Sequence, residues 1–483
     1  MYLKNLLKKC GMDVIVINNH FVSKLANNSA NCIKDAIFFA VKGYQTNGHL
    51  YIDDAIKNGA KTIVYEDDII KNNYEINYLQ VDDVKKYVAL MAKYYYHNLS
   101  RKYKVIVATG TKGKSSVTAL LFDYLNYLSY KPLLIGTCGV FFNDEKTATK
   151  NTTPDILTTY ELMKKYYQKG ARYLIMEASS IAICEKRLAY LDIDVIIFTN
   201  LGQDHLDYHL SLTDYKYAKG LLINQLPFNK KKAIILNKDD DNYLFYKNLS
   251  LNKTISYGIK RSSNYQGINL HNNLFFNSFI VKIRGIRYRI KTPFSGDFNI
   301  YNILAVMATI DFLNLSLFNF IKMLNLYLPI EGRMNIIKHQ EKRFIIDFAH
   351  TKESIESILK TIKKYCENKL WVICGAGGNR DKNKRSSMGM ACEKYADRII
   401  FTNDNPRYED PMEIIKDLIS KLSSNKFMII LNRKDAISYA IKNSSAKDII
   451  VILGKGNENY QEIKGVKYPY NDKDVLYNLL AKD

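Results

Sequence analysis

The chain reads as an α/β protein of three domains. The first is a small N-terminal α/β domain, the second a central parallel-sheet domain of the P-loop ATPase type, and the third a C-terminal Rossmann-like domain. Three observations predict this. The 483 residues suffice for about three domains of ordinary size. Tyr103–Leu125 runs from an apolar strand through a Gly-rich turn into a helix. On both sides of it strands alternate with helices and end in polar loops, as in open parallel sheets whose ligands sit at the carboxyl edge.

Within residues 1–100, Ile37–Val41, Thr62–Tyr65 and Tyr78–Val81 read as short strands, and Asp82–Asn98 as a helix leading out. The central domain, 101–331, opens on Val105-Ile106-Val107, an apolar run expected of a strand buried on both faces. Gly110-Thr111-Lys112-Gly113-Lys114-Ser115-Ser116 follows, then Val117, Leu120, Leu121, Tyr124 and Leu125 on one helical face. This is the setting of a phosphate loop. Glycines let N–H groups face phosphate oxygens, and the helix start adds its positive end. Lys114 adds a charge and Ser115 a hydroxyl for Mg²⁺. Ala108 stands where the usual pattern has glycine.

Leu174–Met176 and Val195–Thr199 read as strands that end in Glu177-Ala178-Ser179-Ser180 and in Asn200–His209. Lys114, Ser115, Glu177, Asp204 and His205 therefore fall at one sheet edge, with Glu177 and His205 as partners for Mg²⁺. Residues 254–295 carry Gly/Asn turns and alternate over Val281–Ile290, which predicts an antiparallel excursion. In the last domain, 332–483, four apolar strands end in Asp347–Thr351, Gly375–Asp381, Asn403–Arg407 and Gly454–Glu458.

The net charge of +22 raises nucleic-acid binding. However, only 14 of the 70 basic residues are Arg, and Lys is spread along the chain, so composition bias is the reading and no nucleic-acid partner is expected. The seven cysteines are scattered without metal-ligand spacing, as in a cytoplasmic protein with reduced thiols. No apolar run is long enough to span a membrane, and charges interrupt the N-terminal apolar residues where a signal peptide would be continuous.

Further motifs keep an order. They are Asn151-Thr152-Thr153-Pro154, Met176–Ser180, Phe198–Leu201 with Asp204–His209, Tyr215 with Ala218-Lys219, Phe298-Asn299, Tyr301-Asn302 and Gly332-Arg333-Met334. After these come Asp347 with Ala349-His350-Thr351, Gly377-Gly378 with Arg380-Asp381-Lys382, Asp404-Asn405-Pro406-Arg407, and Gly454-Lys455-Gly456 with Glu458. Together with Gly110–Ser116 this set resembles the Mur ligases, ATP-dependent amide-forming enzymes of bacterial peptidoglycan synthesis. The match runs from about Ser29 to the C-terminus.

The resemblance implies ATP and Mg²⁺ as cofactors. It implies that UDP-N-acetylmuramoyl-dipeptide and a diamino acid are joined through an acyl phosphate, by a protein that is a monomer. It assigns the N-terminal domain to the UDP-substrate, the central one to ATP and the C-terminal one to the amino acid. Lys114 and Ser115 would hold phosphates, with Gly110, Thr111, Lys112, Gly113 and Ser116 lining the loop. Glu177, His205 and, if carbamylated, Lys219 would form the metal site. Asn302, Arg333, Asp347 and His350 match nucleotide contacts. Ser29, Thr152, Thr153, Ser179 and Arg187 match contacts to the UDP-substrate. Arg380, Asp404, Asn405, Arg407, Gly454 and Glu458 match the amino-acid pocket.

The Asn-Pro-Arg form resembles the diaminopimelate-adding branch. An Arg fork suits a distal carboxylate. With lysine bound instead, Arg407 would be left partly buried and unpaired, at about 3–5 kcal/mol. The alternative is that Arg407 pairs with Glu409 or Asp410. The chain departs from the family pattern at Ala30, Ile181, Glu185, Phe348, Asn379 and Asn457. A carboxylate at 185 would repel an anionic substrate unless protonated or paired. These departures leave, as an alternative, a paralogous amide synthetase acting on another carboxylic acid.

Overall fold

The computed structural model describes residues 1–43, 46–71, 73–149, 151–202, 208–272, 276–326 and 335–481. They form two compact units. One comprises Met1–Asn269, Ile280–Arg289 and Phe298–Met323, and the other Leu270–Phe279, Ile290–Asp297 and Leu324–Asp483.

In the first unit, β1 (Leu25–Ala26), β2 (Ala36–Phe39), β3 (Ala60–Tyr65) and β4 (Asn77–Gln80) make a parallel sheet in sequence order. The helix Val84–Tyr95 starts at Asp83, whose side chain caps Lys86 N–H at 2.9 Å, and buries Val84, Val88, Ala89, Met91 and Ala92. One hydrophobic core runs from Leu3 and Ile37 through this helix to Ile156, Tyr160 and Met163 of the helix Ile156–Gln168. Tyr96 stacks on Tyr160 with ring centroids 5.2 Å apart. Two ion pairs of opposite sense tie the start of the helix Val84–Tyr95 to residues 185 and 186, Lys85 with Glu185 at 2.8 Å and Lys186 with Asp83.

The next strands are β5 (Lys104–Thr109), β6 (Leu133–Gly136), β7 (Gly139–Phe142), β8 (Glu145–Thr147), β9 (Tyr173–Glu177), β10 (Val195–Phe198), β11 (Ala233–Asn237), β12 (Lys253–Gly258), β13 (Tyr265–Asn272), β14 (Asn277–Ile283) and β15 (Ile286–Thr292). Among the described residues they form one sheet in the order β15-β14-β13-β12-β11-β10-β5-β9-β6-β7-β8. From β12 to β6 every pairing is parallel. Val105, Ile106, Val107 and Ala108 at its centre are fully buried, which is why that run is apolar on both faces. The antiparallel excursion expected over 254–295 is corrected at its start. β12 lies parallel to β11, and Ile255, Ser256 and Tyr257 are buried in succession, the mark of an interior strand rather than a half-exposed hairpin.

The second unit holds β16 (Asn335–His339), β17 (Lys342–Asp347), β18 (Leu370–Cys374), β19 (Arg398–Phe401), β20 (Phe427–Ile429), β21 (Ile449–Leu453), β22 (Tyr460–Ile463) and β23 (Val466–Pro469). Six of these make a sheet in the order β16-β17-β21-β18-β19-β20, parallel except for β16, and β22–β23 is a separate hairpin. β17, β18, β19 and β21 match the four apolar strands expected in this region. β20, which is short and half-buried, and β23, which is exposed throughout, leave no such mark, because neither carries a buried apolar run.

Arg433 and Asp472, both fully buried, lock this unit together. Nε and Nη2 of Arg433 donate to the two Asp472 oxygens at 2.8 and 2.7 Å, and Nη2 also donates to the Leu453 carbonyl at the end of β21. This ties the C-terminal helix Asp472–Leu480 to the carboxyl edge of the sheet. Removing one partner of a buried pair leaves an uncompensated charge, so Asp472→Ala is expected to cost about 3–5 kcal/mol. The urea unfolding midpoint measures this, and an unchanged midpoint would contradict it.

Candidate active site

The phosphate loop is shaped by contacts from the end of β10. Gly110 has φ +138°, and a Cβ there would overlap Thr199 Oγ1. Thr111 N–H donates to the Asn200 carbonyl at 2.8 Å, and Lys112 N–H to Asn200 Oδ1 at 3.0 Å. Thr111 Oγ1 meets Tyr215 OH at 3.2 Å. Gly113, at φ +87°, starts the helix Lys114–Tyr127. The first-turn N–H groups of Ser115 and Ser116 have no acceptor within the helix, as an anion site requires. Asn302 Oδ1 lies 2.7 Å from the place a Cβ on Gly113 would occupy, which sets this buried carboxamide against the loop.

Two lysines share one acceptor. Lys114 Nζ donates to the carbonyls of Gly110 at 2.9 Å and Thr111 at 3.1 Å. Lys219 Nζ donates to the same Gly110 carbonyl at 3.1 Å and stands 4.5 Å from the Tyr215 ring centroid. Lys219 is buried, so it is not one more surface lysine of a Lys-rich chain.

Glu177, at the end of β9, is the centre of the next cluster. Its side chain is buried, and Oε2 accepts from Ser115 Oγ at 2.9 Å and from Thr137 Oγ1 at 3.0 Å, while Oε1 accepts from Thr137 N–H at 3.0 Å. From there the network spreads through Thr137 to Thr152 Oγ1 at 3.2 Å. Thr153 Oγ1 donates to the Glu177 carbonyl at 2.8 Å and accepts from Ser179 N–H, and Arg187 Nη1 donates to the Thr153 carbonyl at 3.0 Å. Ser115, Glu177, Thr152, Thr153, Ser179 and Arg187 are thus one hydrogen-bonded set. Ser29 is not joined to it among the described residues. Its carbonyl accepts from Asn58 Nδ2 at 3.0 Å. The predicted residues His205 and Arg333, and with them Asp204, lie outside the described residues.

Two neutral hydroxyls, Ser115 and Thr137, bond the Glu177 carboxylate, and Thr152 lies one step beyond on Thr137; hard oxygens of this kind suit Mg²⁺. Among the described residues no group of three or more His, Cys, Asp or Glu side chains gathers. Glu185 is paired rather than opposed to an incoming anion. Its Oε2 meets Lys85, and Tyr208 OH donates to Oε1 at 3.4 Å. Burial, with the Glu185 charge, pushes the Tyr208 phenol up to about 12. Buried His209 bonds Ser180 Oγ at 2.8 Å.

In the second unit three loops are stitched at the carboxyl edge. Gly378 N–H donates to the Asn405 carbonyl at 2.9 Å, and Tyr408 N–H to Asn379 Oδ1 at 3.0 Å. Buried Asn405 bridges further. Its Nδ2 donates to Glu458 Oε2 at 2.9 Å, and its Oδ1 accepts from Lys455 Nζ at 3.0 Å and from Glu462 N–H at 2.9 Å. Burial raises the Asp404 carboxyl, opposed by the charges of Arg433 and Lys455. Gly454 N–H donates to the Asp347 carbonyl at 3.1 Å. Arg380 and His350 are exposed, with His350 Nδ1 2.8 Å from the Phe348 carbonyl.

Arg407 corrects two expectations. It pairs with neither Glu409 nor Asp410, and it does not stand without a partner. Its Nε donates to Glu462 Oε2 at 3.1 Å and its Nη1 to the Gly378 carbonyl at 2.8 Å. Glu409 is taken by Arg385, whose Nη1 and Nη2 donate to its two oxygens at 2.9 and 3.0 Å. Thr137, Glu462 and Arg385 are not among the residues the sequence singles out, and Lys455 stands in the Gly454–Gly456 motif without an assigned role. Thr137 and Arg385 sit in no recognisable motif, and Glu462 looks like an ordinary charge of a charged tract.

Arg385 holds the Glu409 carboxyl down at about 2, against an ordinary value of 4.5. A carboxyl lowered on folding stabilises the fold fully above its ordinary pKa, and the contribution is lost as pH falls through the folded value. Glu409→Gln is therefore expected to lower the urea midpoint at neutral pH and to flatten its fall between pH 4.5 and about 2. Parallel curves for the two proteins would contradict this.

Three family models match the chain: the Mur ligase family catalytic domain at residues 22–96, the Mur ligase middle domain at 108–310, and the Mur ligase glutamate ligase domain at 332–456. A UDP-N-acetylmuramoyl-L-alanyl-D-glutamate–2,6-diaminopimelate ligase of Phocaeicola vulgatus is 36% identical over 456 residues, covering 92% of each chain. The ligase of the same name from Caldanaerobacter subterraneus subsp. tengcongensis is 34% identical over 486 residues, covering 100% of this chain and 99% of its own. A solved structure of a ligase of that name superposes with a TM-score of 0.74 at 26% identity, covering 99% of this chain and 98% of its own. Matched along its length by all three family models and by full-length relatives, the chain belongs to the Mur ligase family.

Proposed function

We propose that the chain is an ATP-dependent ligase that adds meso-diaminopimelate, as third residue of the stem peptide, to UDP-N-acetylmuramoyl-L-alanyl-D-glutamate in peptidoglycan synthesis. The observation that carries this is the Glu177 network, which joins a phosphate-loop serine to Thr152, Thr153, Ser179 and Arg187. A γ-phosphoryl donor and a carboxylate acceptor need such adjacency. The relatives at 34–36% identity bear the name of this activity. Pairing of Glu185 with Lys85 takes away the charge conflict that favoured a different acid substrate.

In this reading residues 1–100 receive the UDP moiety, 101–331 hold ATP and the acid, and 332–483 hold the amino acid. Lys114 leaves the loop carbonyls for the phosphates, and the helix N-terminus supports the developing charge. Ser115 and Glu177, with His205 and a carbamylated Lys219, would hold Mg²⁺, which when bound supplies charge neutralisation on phosphate oxygens. A carbamate on Lys219 keeps one N–H for the Gly110 carbonyl and turns a buried cation into an anion. Asn302, Arg333, Asp347 and His350 contact the nucleotide. The substrate carboxylate attacks the γ-phosphorus and releases ADP. The amine then attacks the acyl phosphate, and phosphate leaves as the amide forms. Arg380, Asp404, Asn405, Arg407, Gly454 and Glu458 hold the amino acid. The protein acts as a cytoplasmic monomer; no described helix is long and apolar enough to cross a membrane.

Because Glu462 already pairs with Arg407, lysine in place of diaminopimelate costs less than the loss of an ion pair. An unanswered charged donor, at about 1–3 kcal/mol, predicts roughly tenfold or greater preference. Phosphate release is measured with ATP, Mg²⁺, the UDP-dipeptide and diaminopimelate, lysine or no amino acid. Release that requires diaminopimelate, with the matching mass gain on the UDP-peptide, is expected. Release with neither amino acid overturns the assignment. Glu177→Gln is expected to lower kcat by about a hundredfold or more, the scale of losing one preorganised charge contact.

A further inference from the structure

We infer that Glu462 is a positioning residue that sets the guanidinium of Arg407 to read a carboxylate on the incoming amino acid. This rests on the amino-acid reading of the pocket given above.

Arg407 sits at φ +52°, a backbone conformation disfavoured for a long side chain. β22 and the turn after it hold it there from both sides: Arg407 N–H donates to the Glu462 carbonyl at 3.0 Å, and Lys464 N–H donates to the Arg407 carbonyl at 2.6 Å. This backbone turn delivers the side chain to Glu462 Oε2 at Nε and to the Gly378 carbonyl at Nη1. A guanidinium has five N–H donors. These two contacts leave three, including both on Nη2, which has no partner among the described residues. The Nη side of the fork therefore stays open while the Nε side is fixed.

Glu462 is itself fixed. Its N–H donates to Asn405 Oδ1, the oxygen that also receives Lys455, and the other end of that carboxamide binds Glu458. One carboxamide thus connects the residue orienting Arg407 to the acidic side of the same pocket. The Arg407 and Glu462 side chains are 19% and 20% exposed, enough for a ligand to reach the fork and little enough for water to compete weakly. Glu462 also offsets the arginine's charge. Selection then rests on the geometry of two hydrogen bonds rather than on net charge, and a rotated guanidinium would lose it.

The test compares Glu462→Ala and Glu462→Gln with wild type, reading the KM for each of the three substrates. Glu462→Ala is expected to raise the KM for meso-diaminopimelate tenfold or more and to leave those for ATP and the UDP-dipeptide within twofold. Glu462→Gln, whose amide oxygen still accepts from Nε, is expected to recover most of the loss. An unchanged diaminopimelate KM in Glu462→Ala overturns the inference. So does a change spread evenly over all three substrates, or a Gln variant as poor as the Ala variant. Wild-type protein that shows no diaminopimelate-dependent turnover overturns the functional reading itself and is seen before any variant is made.

Discussion

A carboxylate taken out of water must be surrounded by donors, and Glu177 meets that requirement with groups from two separate segments, while a third donates to its backbone carbonyl. Ser115 comes from the phosphate loop and Thr137 from the turn after β6. Thr153, which seats the Glu177 carbonyl, comes from the segment ahead of the helix Ile156–Gln168. β9 lies beside β5 and β6, so the ends of these three strands converge on one acidic side chain. The phosphate loop, the Asn151–Pro154 motif and the Ser179 helix start are placed relative to one another by that single group.

The second unit follows the same logic with amides and guanidinium groups. Its loops hold their shapes through Asn405, Arg385 and Arg433, each linking two or more strand ends. Asn405 and Glu458 were prominent in the sequence because they stand in a recognisable order. Arg385 and Arg433 were not, since a buried arginine in a helix is indistinguishable by spacing from an exposed one. Only the folded chain shows that their partners, Glu409 and Asp472, lie 24 and 39 residues away.

The same division runs through the whole reading. The central parallel strands were legible because burial on both faces demands continuous apolar runs, as in Val105–Val107. The phosphate loop was legible because its glycines answer to backbone geometry, Gly110 most plainly. The partner of Arg407 is not legible because Glu409 and Asp410 are the carboxylates near in sequence, whereas Glu462 is brought in by a hairpin whose outer strand is fully exposed. Thr137 was passed over because one threonine after a short strand carries no pattern. β12 was misassigned because Gly258 and the turn after it resemble hairpin punctuation.

The shared Gly110 carbonyl has a consequence for the entropy of ligand capture. A lysine on the surface samples many rotamers, and fixing it against an arriving anion costs up to about 2 kcal/mol. Lys114 is already confined, its ammonium resting on two carbonyls of the loop it serves. That ordering is incurred when the chain folds. In the proposed reading, when Lys114 turns toward a phosphate the Gly110 oxygen keeps Lys219, and only the Thr111 carbonyl gives up its ammonium contact. The second lysine would thus keep one of the two loop carbonyls answered throughout, and an arriving anion has less left to organise.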